Sequence, residues 1–215
     1  MAPWSVDTFR GSAGQFHQRD VADGAARQAW WCEADRPALV LGSAQPMSTV
    51  DEGACRAAGI EVVRRRSGGG AVLVVPGEVV WLDVVVRRGD PLWDDDVGRS
   101  MWWLGEMWCD VLRSYGAVAT VHRGPLVRTA WSSVVCFDGV GAGEVLVGDA
   151  KAVGIAQRRT RDWARMQSMV HLRWRPAFMA SLLSPSPDPD QLRSAWESPA
   201  GPAELMSAVH ERLRT

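Results

Sequence analysis

Between Pro37 and Arg87 the chain carries four short, valine-rich apolar runs: PALVLG, IEVVRRR, AVLVV and EVVWLDVVV. Runs of this length and β-branched content, bounded by turn residues, read as strands. Gly68-Gly69-Gly70 and Pro76-Gly77 supply the tight turns between the last three. A second set follows residue 117, as VATVH, SSVVCF, GEVLVG, AVGIAQRR and RMQSMVHLRW. Helices are expected around them. Residues 19–34 place Val21, Ala25, Ala29 and Cys32 at near-helical spacing, and Thr49 with Glu52 forms a capping box for a short helix ended by Gly59. Residues 90–116 place Val97, Met101, Leu104, Trp108 and Val111 three or four apart before Gly116. This order predicts an α+β fold, a mixed β-sheet flanked by helices, and not the regular βα alternation of a doubly wound sheet. A Pro/Ser/Asp connector then leads into a short amphipathic helix, so the domain reading is a main domain over 1–185 and a helical extension over 186–215.

Composition narrows the function classes. An apolar fraction of 47% and a charged fraction of 23% exclude wholesale disorder. A formal charge of -1 argues against a nucleic-acid or anionic-membrane partner. No apolar run approaches the roughly 20 residues that span a bilayer, and the first residues carry no secretory pattern. The cysteines (Cys32, Cys55, Cys109, Cys136) are scattered without a CxxC pair, which points to a reducing, cytoplasmic setting and away from structural zinc or disulfides. Asp94-Asp95-Asp96 is read as the acidic first turn of the long helix in preference to a metal cluster. One bias stands out. Of the 24 basic residues only Lys151 is a lysine. In a chain that uses arginine elsewhere, a lysine marks a place where a compact ammonium fits and a planar fork does not.

Two segments can carry chemistry. In RRRSGGGAV three glycines follow three arginines at the end of a strand; glycines let backbone N–H groups approach an anion while guanidinium groups supply charge and forked donors. The spacing is neither that of a P-loop nor that of a dinucleotide fingerprint. Read plainly, the same run is a glycine hairpin flanked by solvated arginines. In GDAKAVGIAQRR the lone lysine stands between strand-like runs, either as an exposed turn residue or as a fixed cation directed into a pocket beside the small residues Gly154 and Ala156.

Together, in this order and after PALVLGSAQ, these segments resemble the RRxSGGGAV and GxKxxGxAQ signatures of the lipoate–protein ligase and octanoyltransferase family. The resemblance covers roughly residues 20–185 and implies the biotin/lipoate ligase catalytic-domain fold. It implies a ligase that attaches lipoate or a related medium-chain acid, octanoate included, to a carrier-domain lysine through acyl-AMP, with ATP and magnesium as co-substrates. Arg64 and Arg65 match the paired arginines, with Arg66 at a variable position. Ser67, Gly68, Gly69 and Gly70 match the loop around the acyl-adenylate, Lys151 the lysine that contacts acyl carbonyl and phosphate, and Gly154 and Ala156 the small residues beside it. The implied partners are lipoyl carrier domains of dehydrogenase-complex or glycine-cleavage type. The length is read as leaving no accessory domain, which a separate subunit would supply. Val72, Val74 and Trp81 are expected along the acyl slot.

The chain departs from the ligase pattern. Val75 and Pro76 stand where His and Asp are expected, and Glu78 where Asn is expected. Gly143-Glu144 replaces an Asn-Asp pair, leaving Glu144 as the candidate metal ligand. VVCFDGVGAGEVLVGDAK instead resembles the octanoyltransferase branch, in which a cysteine takes the acyl group as a thioester and no ATP is needed. Cys136 is therefore either that nucleophile or a small buried hydrophobe. A third reading is a degenerate relative that binds an acyl ligand without chemistry. His171 is read as structural or pocket-facing, and His17, His122 and His210 have no partner at metal-ligand spacing. The arginines at 158, 159, 161, 165, 173 and 175 form either a face for an acidic carrier or a solvated sheet edge.

Overall fold

A computed structural model describes residues 3–21 and 24–214. The valine-rich run after Pro76-Gly77 becomes β6 (Val79–Arg87), the middle of a seven-stranded sheet. Its alternate residues serve two cores: Val80, Leu82, Val84 and Val86 enter one, Trp81 and Val85 the other. A strand buried on both faces reads as a continuous apolar run, which is why no polar alternation shows in EVVWLDVVV.

The sheet adds β1 (Trp4–Gly11), β2 (Arg27–Ala34), β7 (Ala119–Val121), β8 (Val145–Val147), β9 (Ala150–Arg159) and β10 (Trp163–His171), in the order β1-β2-β6-β10-β9-β8-β7. The β1–β2 pair is parallel and the rest antiparallel. A second sheet, β4-β3-β5, holds β3 (Ala38–Leu41), β4 (Glu61–Arg64) and β5 (Val72–Val74). It is mixed as well, since β3 runs parallel to β4 and antiparallel to β5. The α+β expectation holds.

Helices cover both outer sides. On the large sheet lie α3 (Trp102–Ser114) and α5 (Pro202–Arg214), burying Leu104, Trp108, Val111, Leu205 and Val209. Behind the small sheet, α2 (Glu52–Ala57) and α4 (Pro176–Ser181) bring Cys55 and Met179 against Leu39, Leu41 and Leu73. A short α1 (Ala13–Gln18), closed by a Ser12–Gln15 capping box, flanks the space between the sheets. No helix among the described residues is long and apolar enough to cross a membrane.

Four expectations need correction. Residues 19–34 do not form a helix. The stretch holds β2, whose Ala29 and Trp31 face one core and Trp30 and Cys32 the other, so burial on both faces mimicked a helical stripe; Ala22 and Asp23 of that prediction lie outside the described residues. The cap of α2 is Asp51, whose carboxylate accepts from the Ala54 N–H, and not Thr49. Asp94–Asp96 precede α3 instead of filling its first turn, and Asp94 pairs with Arg99. SSVVCF is a tight turn ending in a single 3₁₀ turn at Cys136–Asp138, not a strand.

Candidate functional site

The space between the sheets holds a narrow cavity that is open at one side. Its floor is the face of the large sheet where β9 presents Gly154 and Ala156, β10 presents Gln167 and Met169, and β6 presents Trp81. Val72, Arg65 and Cys136 form the roof, with His17 at the side. Cys136, Ala156 and Gln167 are only half-buried and mark the opening, whereas Val72, Trp81, Phe137 and Met169 close an apolar inner end.

The RRRSGGG segment is not a solvated hairpin. Arg64 turns away from the cavity and donates to the carbonyls of Gly42 (3.0 Å) and Gln45. Arg65, 6% exposed, donates through Nη2 to the carbonyls of Gly68 (2.7 Å) and Gly70 (3.0 Å), curling the glycine loop around its own guanidinium. The same Nη2 lies 3.6 Å from Cys136 Sγ. A Cβ on Gly70 would stand 2.6 Å from the carbonyl carbon of Val135, so only glycine lets this loop meet the 135–136 backbone. Ser67 Oγ donates to Gln167 Oε1 (3.2 Å), tying loop to sheet floor. Arg66 points outward and pairs with Asp20.

Beneath the floor lies a buried polar network. Asp83 accepts from Trp81 Nε1 (2.6 Å), Arg165 Nε (2.8 Å) and Gln167 Nε2 (3.2 Å). Gln167 Nε2 also bonds His17 Nδ1 (3.2 Å). Burial, reinforced by the charges of Arg65 and Arg165, pushes His17 down to about 3, so its ring stays neutral near pH 7.

Lys151 is 1% exposed and does not line the cavity. Its Nζ donates to the Cys136 carbonyl (2.7 Å) and to Glu144 Oε2 (2.8 Å), and lies 5.2 Å from the centre of the Phe137 ring. Phe137, which does line the cavity, therefore covers the ammonium. Glu144 accepts in addition from the N–H groups of Gly141 (2.6 Å) and Ile155 (3.0 Å). Glu144 is thus held by three donors, and no group of three His, Cys, Asp or Glu side chains that could hold a metal ion occurs among the described residues.

The site brings together Arg65, Ser67, Gly69, Gly70, Cys136, Gly154 and Ala156, together with the expected slot residues Val72 and Trp81. Val74 is in the neighbouring core and not in the cavity wall. His171 lies behind Phe137, their ring centres 4.4 Å apart, with neither ring nitrogen hydrogen-bonded. Burial pushes it down to about 4; the nearby Arg173 backbone opposes the shift and the Lys151 charge adds to it. The six arginines form no single face: Arg165 is buried on Asp83, Arg175 pairs with Glu78, and Arg159 bonds the Asp94 carbonyl. Residues missed in sequence were His17, Phe137, Gln167 and Met169. The two-residue period of RMQSMVH was the available signal for the last two.

Residues 16–207 match the family model of the lipoyl protein ligase A/B catalytic domain. No curated protein sequence matches the chain. Among solved structures, lipoate-protein ligase A bound with ATP is similar at TM-score 0.71 and 16% identity, over 96% of this chain and 82% of that one. A bi-partite lipoate protein ligase from Thermoplasma acidophilum, studied with its E2 lipoyl domain, gives TM-score 0.70 and 16% identity over 98% and 82%. P. falciparum LipL1 in complex with lipoate gives 0.68 and 12% over 97% and 60%. At these identities the likeness is one of fold.

Proposed function

Since the chain belongs to the lipoyl protein ligase A/B catalytic-domain family, we propose that it transfers a medium-chain acyl group, octanoyl or lipoyl, to a lysine of a lipoyl carrier domain, with Cys136 carrying the group as a thioester. The observation that carries this reading is the setting of Cys136. Alone among the four cysteines it is not fully buried, it borders the cavity, and a guanidinium stands 3.6 Å from its sulfur. A sulfur at the mouth of a cavity is within reach of a thioester donor, and the Arg65 guanidinium donates a hydrogen bond to it.

Transfer then takes two balanced steps. Cys136 sulfur attacks the carbonyl carbon of an acyl thioester donor; the new C–S bond forms, the donor C–S bond breaks, and the donor leaves as a thiol with the proton Cys136 gave up. The neutral amine of the carrier lysine then attacks the same carbon. A C–N bond forms, the Cys136 C–S bond breaks, and sulfur takes the proton released by nitrogen. Val72, Trp81 and Met169 would shelter the chain, and Lys151 acts as a positioning residue that holds the Cys136 carbonyl. The carrier assignment is supported by the relative studied with an E2 lipoyl domain; a separate accessory subunit for this chain is an extension of the same comparison.

The second reading is the acyl-AMP ligase, favoured by the ATP bound to a similar structure and by the Arg65–Gly70 loop. It requires Lys151 to leave Glu144 and Phe137 to move aside. Intact mass spectrometry after incubation with an octanoyl thioester separates the routes. Thioester transfer predicts an octanoyl adduct that is absent from Cys136→Ser. Pyrophosphate release from ATP and lipoate, undiminished in Cys136→Ser, would establish the ligase instead. Neither product would leave the degenerate binder.

A further inference from the structure

A second, smaller cavity lies one pleat further along the same two strands. Where the first cavity is lined by Trp81 of β6 and Met169 of β10, the second is lined by Val79 and His171, two residues on and therefore on the same face. Leu73, Val75 and Trp174 complete its apolar walls, and the Glu78–Arg175 ion pair stands at its edge. Phe137 lines the first cavity only, yet its ring touches both aromatic residues of the second: His171 at 4.4 Å and Trp174 at 6.1 Å between centres. The ring also rests on Gly154, where a Cβ would come within 3.0 Å of Phe137 Cε2.

Resting on the acyl-transfer reading, we propose that Phe137, backed by Met169, is the wall that limits the length of the acyl chain, and that the cavity behind it, which reaches the surface at Arg173, is an extension of the slot. An alkyl chain entering past Cys136 meets the Phe137 ring at the apolar inner end. To reach the extension in the wild type the chain would have to push the ring off Gly154, His171 and Trp174, so it stops at the wall. Opening the wall adds apolar contact surface for every methylene that passes it, about fourfold in affinity each (about 0.8 kcal/mol).

The test is a melting-temperature series of the full chain with hexanoic, octanoic, decanoic, dodecanoic and tetradecanoic acid, since ligands that bind only the folded state raise it. Wild type is expected to gain most from octanoic or decanoic acid and less from the longer ones. In Phe137→Ala the maximum should move to dodecanoic or tetradecanoic acid. Met169→Ala opens the same wall from the sheet side and carries the same expectation should the first variant fail to fold. An unchanged chain-length optimum in a folded wall variant would overturn the proposal while leaving acyl binding intact. A wild type stabilised by none of the acids would overturn the acyl reading and this one with it.

Discussion

The Lys151–Glu144 pair allows a quantitative test of how this site is built. Its side chains are 1% and 5% exposed, with Nζ 2.8 Å from Oε2. Lys151→Met keeps the buried aliphatic stem and removes the charge, leaving Glu144 an uncompensated buried carboxylate. Breaking a buried pair from one side costs about 3–5 kcal/mol. The lower end applies here, because Glu144 retains the Gly141 and Ile155 N–H bonds. We therefore expect a loss of about 3 kcal/mol, or a melting temperature lower by roughly 6–12 °C for a chain of this size.

Glu144→Gln removes the other charge but leaves an amide oxygen for the ammonium, which also keeps the Cys136 carbonyl. About 1–3 kcal/mol is expected for that change. The double variant buries an amide beside a thioether, with no orphaned charge, and should lie within about 1 kcal/mol of its more stable single parent. Urea unfolding of the four proteins gives the coupling directly, expected at about 3 kcal/mol. Additive losses would refute the pair as a unit. A Lys151→Met variant as stable as wild type would refute the burial argument itself. A lysine with its head in an open pocket could be removed without harm to the fold, whereas this one, buried on Glu144, cannot.

Three further outcomes follow from the structure. His17 and His171 are held neutral well below the usual histidine range, so the unfolded chain binds protons first; stability should fall as pH drops from about 7 to about 5, and His171→Phe should flatten that slope and leave neutral-pH stability equal or higher. Parallel urea-midpoint profiles for wild type and His171→Phe would contradict this. Arg65→Met should lower acyl transfer at least about tenfold, because Arg65 holds the glycine loop through the Gly68 and Gly70 carbonyls beside Cys136; equal transfer by a folded variant would detach Arg65 from the site. Gly42→Ala should cost about 1–3 kcal/mol in chemical denaturation, since a Cβ there would overlap the Gly69 carbonyl, and a neutral effect would mean the 42–45 loop yields freely.

The strands flanking the site were legible in sequence because each announces itself locally: valine-rich runs, glycine turns, and a proline-glycine before β6. β2 was not. Its Trp30 and Trp31 face opposite cores, and only the presence of a second sheet makes both faces apolar. β1 escaped notice for the opposite reason: it is an edge strand, exposed along most of its length, and is held by its pairing with β2. Around the cavity, Arg65, Cys136, Gly154 and Ala156 lie in the segments singled out in sequence, as does Phe137, which was not read as a wall residue. Gln167 and His17 carry no motif, and they join the cavity only through the packing of β10 and α1.

The lone lysine returns at this level with a physical reason. At position 151 the cation must fit between the Cys136 carbonyl, the Glu144 carboxylate and the face of Phe137, with no solvent into which a longer side chain could extend. A guanidinium is wider than an ammonium and planar, and carries five donors of which this niche could satisfy only some. Elsewhere the chain buries arginine where carbonyls and carboxylates surround it: Arg165 reaches Asp83 and the carbonyls of Phe16 and Arg19, and Arg65 reaches Gly68 and Gly70. The difference between these niches is room: Arg65 sits in a loop of glycines, whereas the Lys151 head is closed in by Glu144, the Cys136 carbonyl and the Phe137 ring. Lys151→Arg should therefore lose stability comparable to Lys151→Met although charge is kept. Acyl transfer should fall at least about tenfold, or about 1.4 kcal/mol of transition-state stabilisation, because the displaced Cys136 carbonyl moves the sulfur away from Arg65. Normal transfer by a stable Lys151→Arg protein would show that charge alone is required at this position.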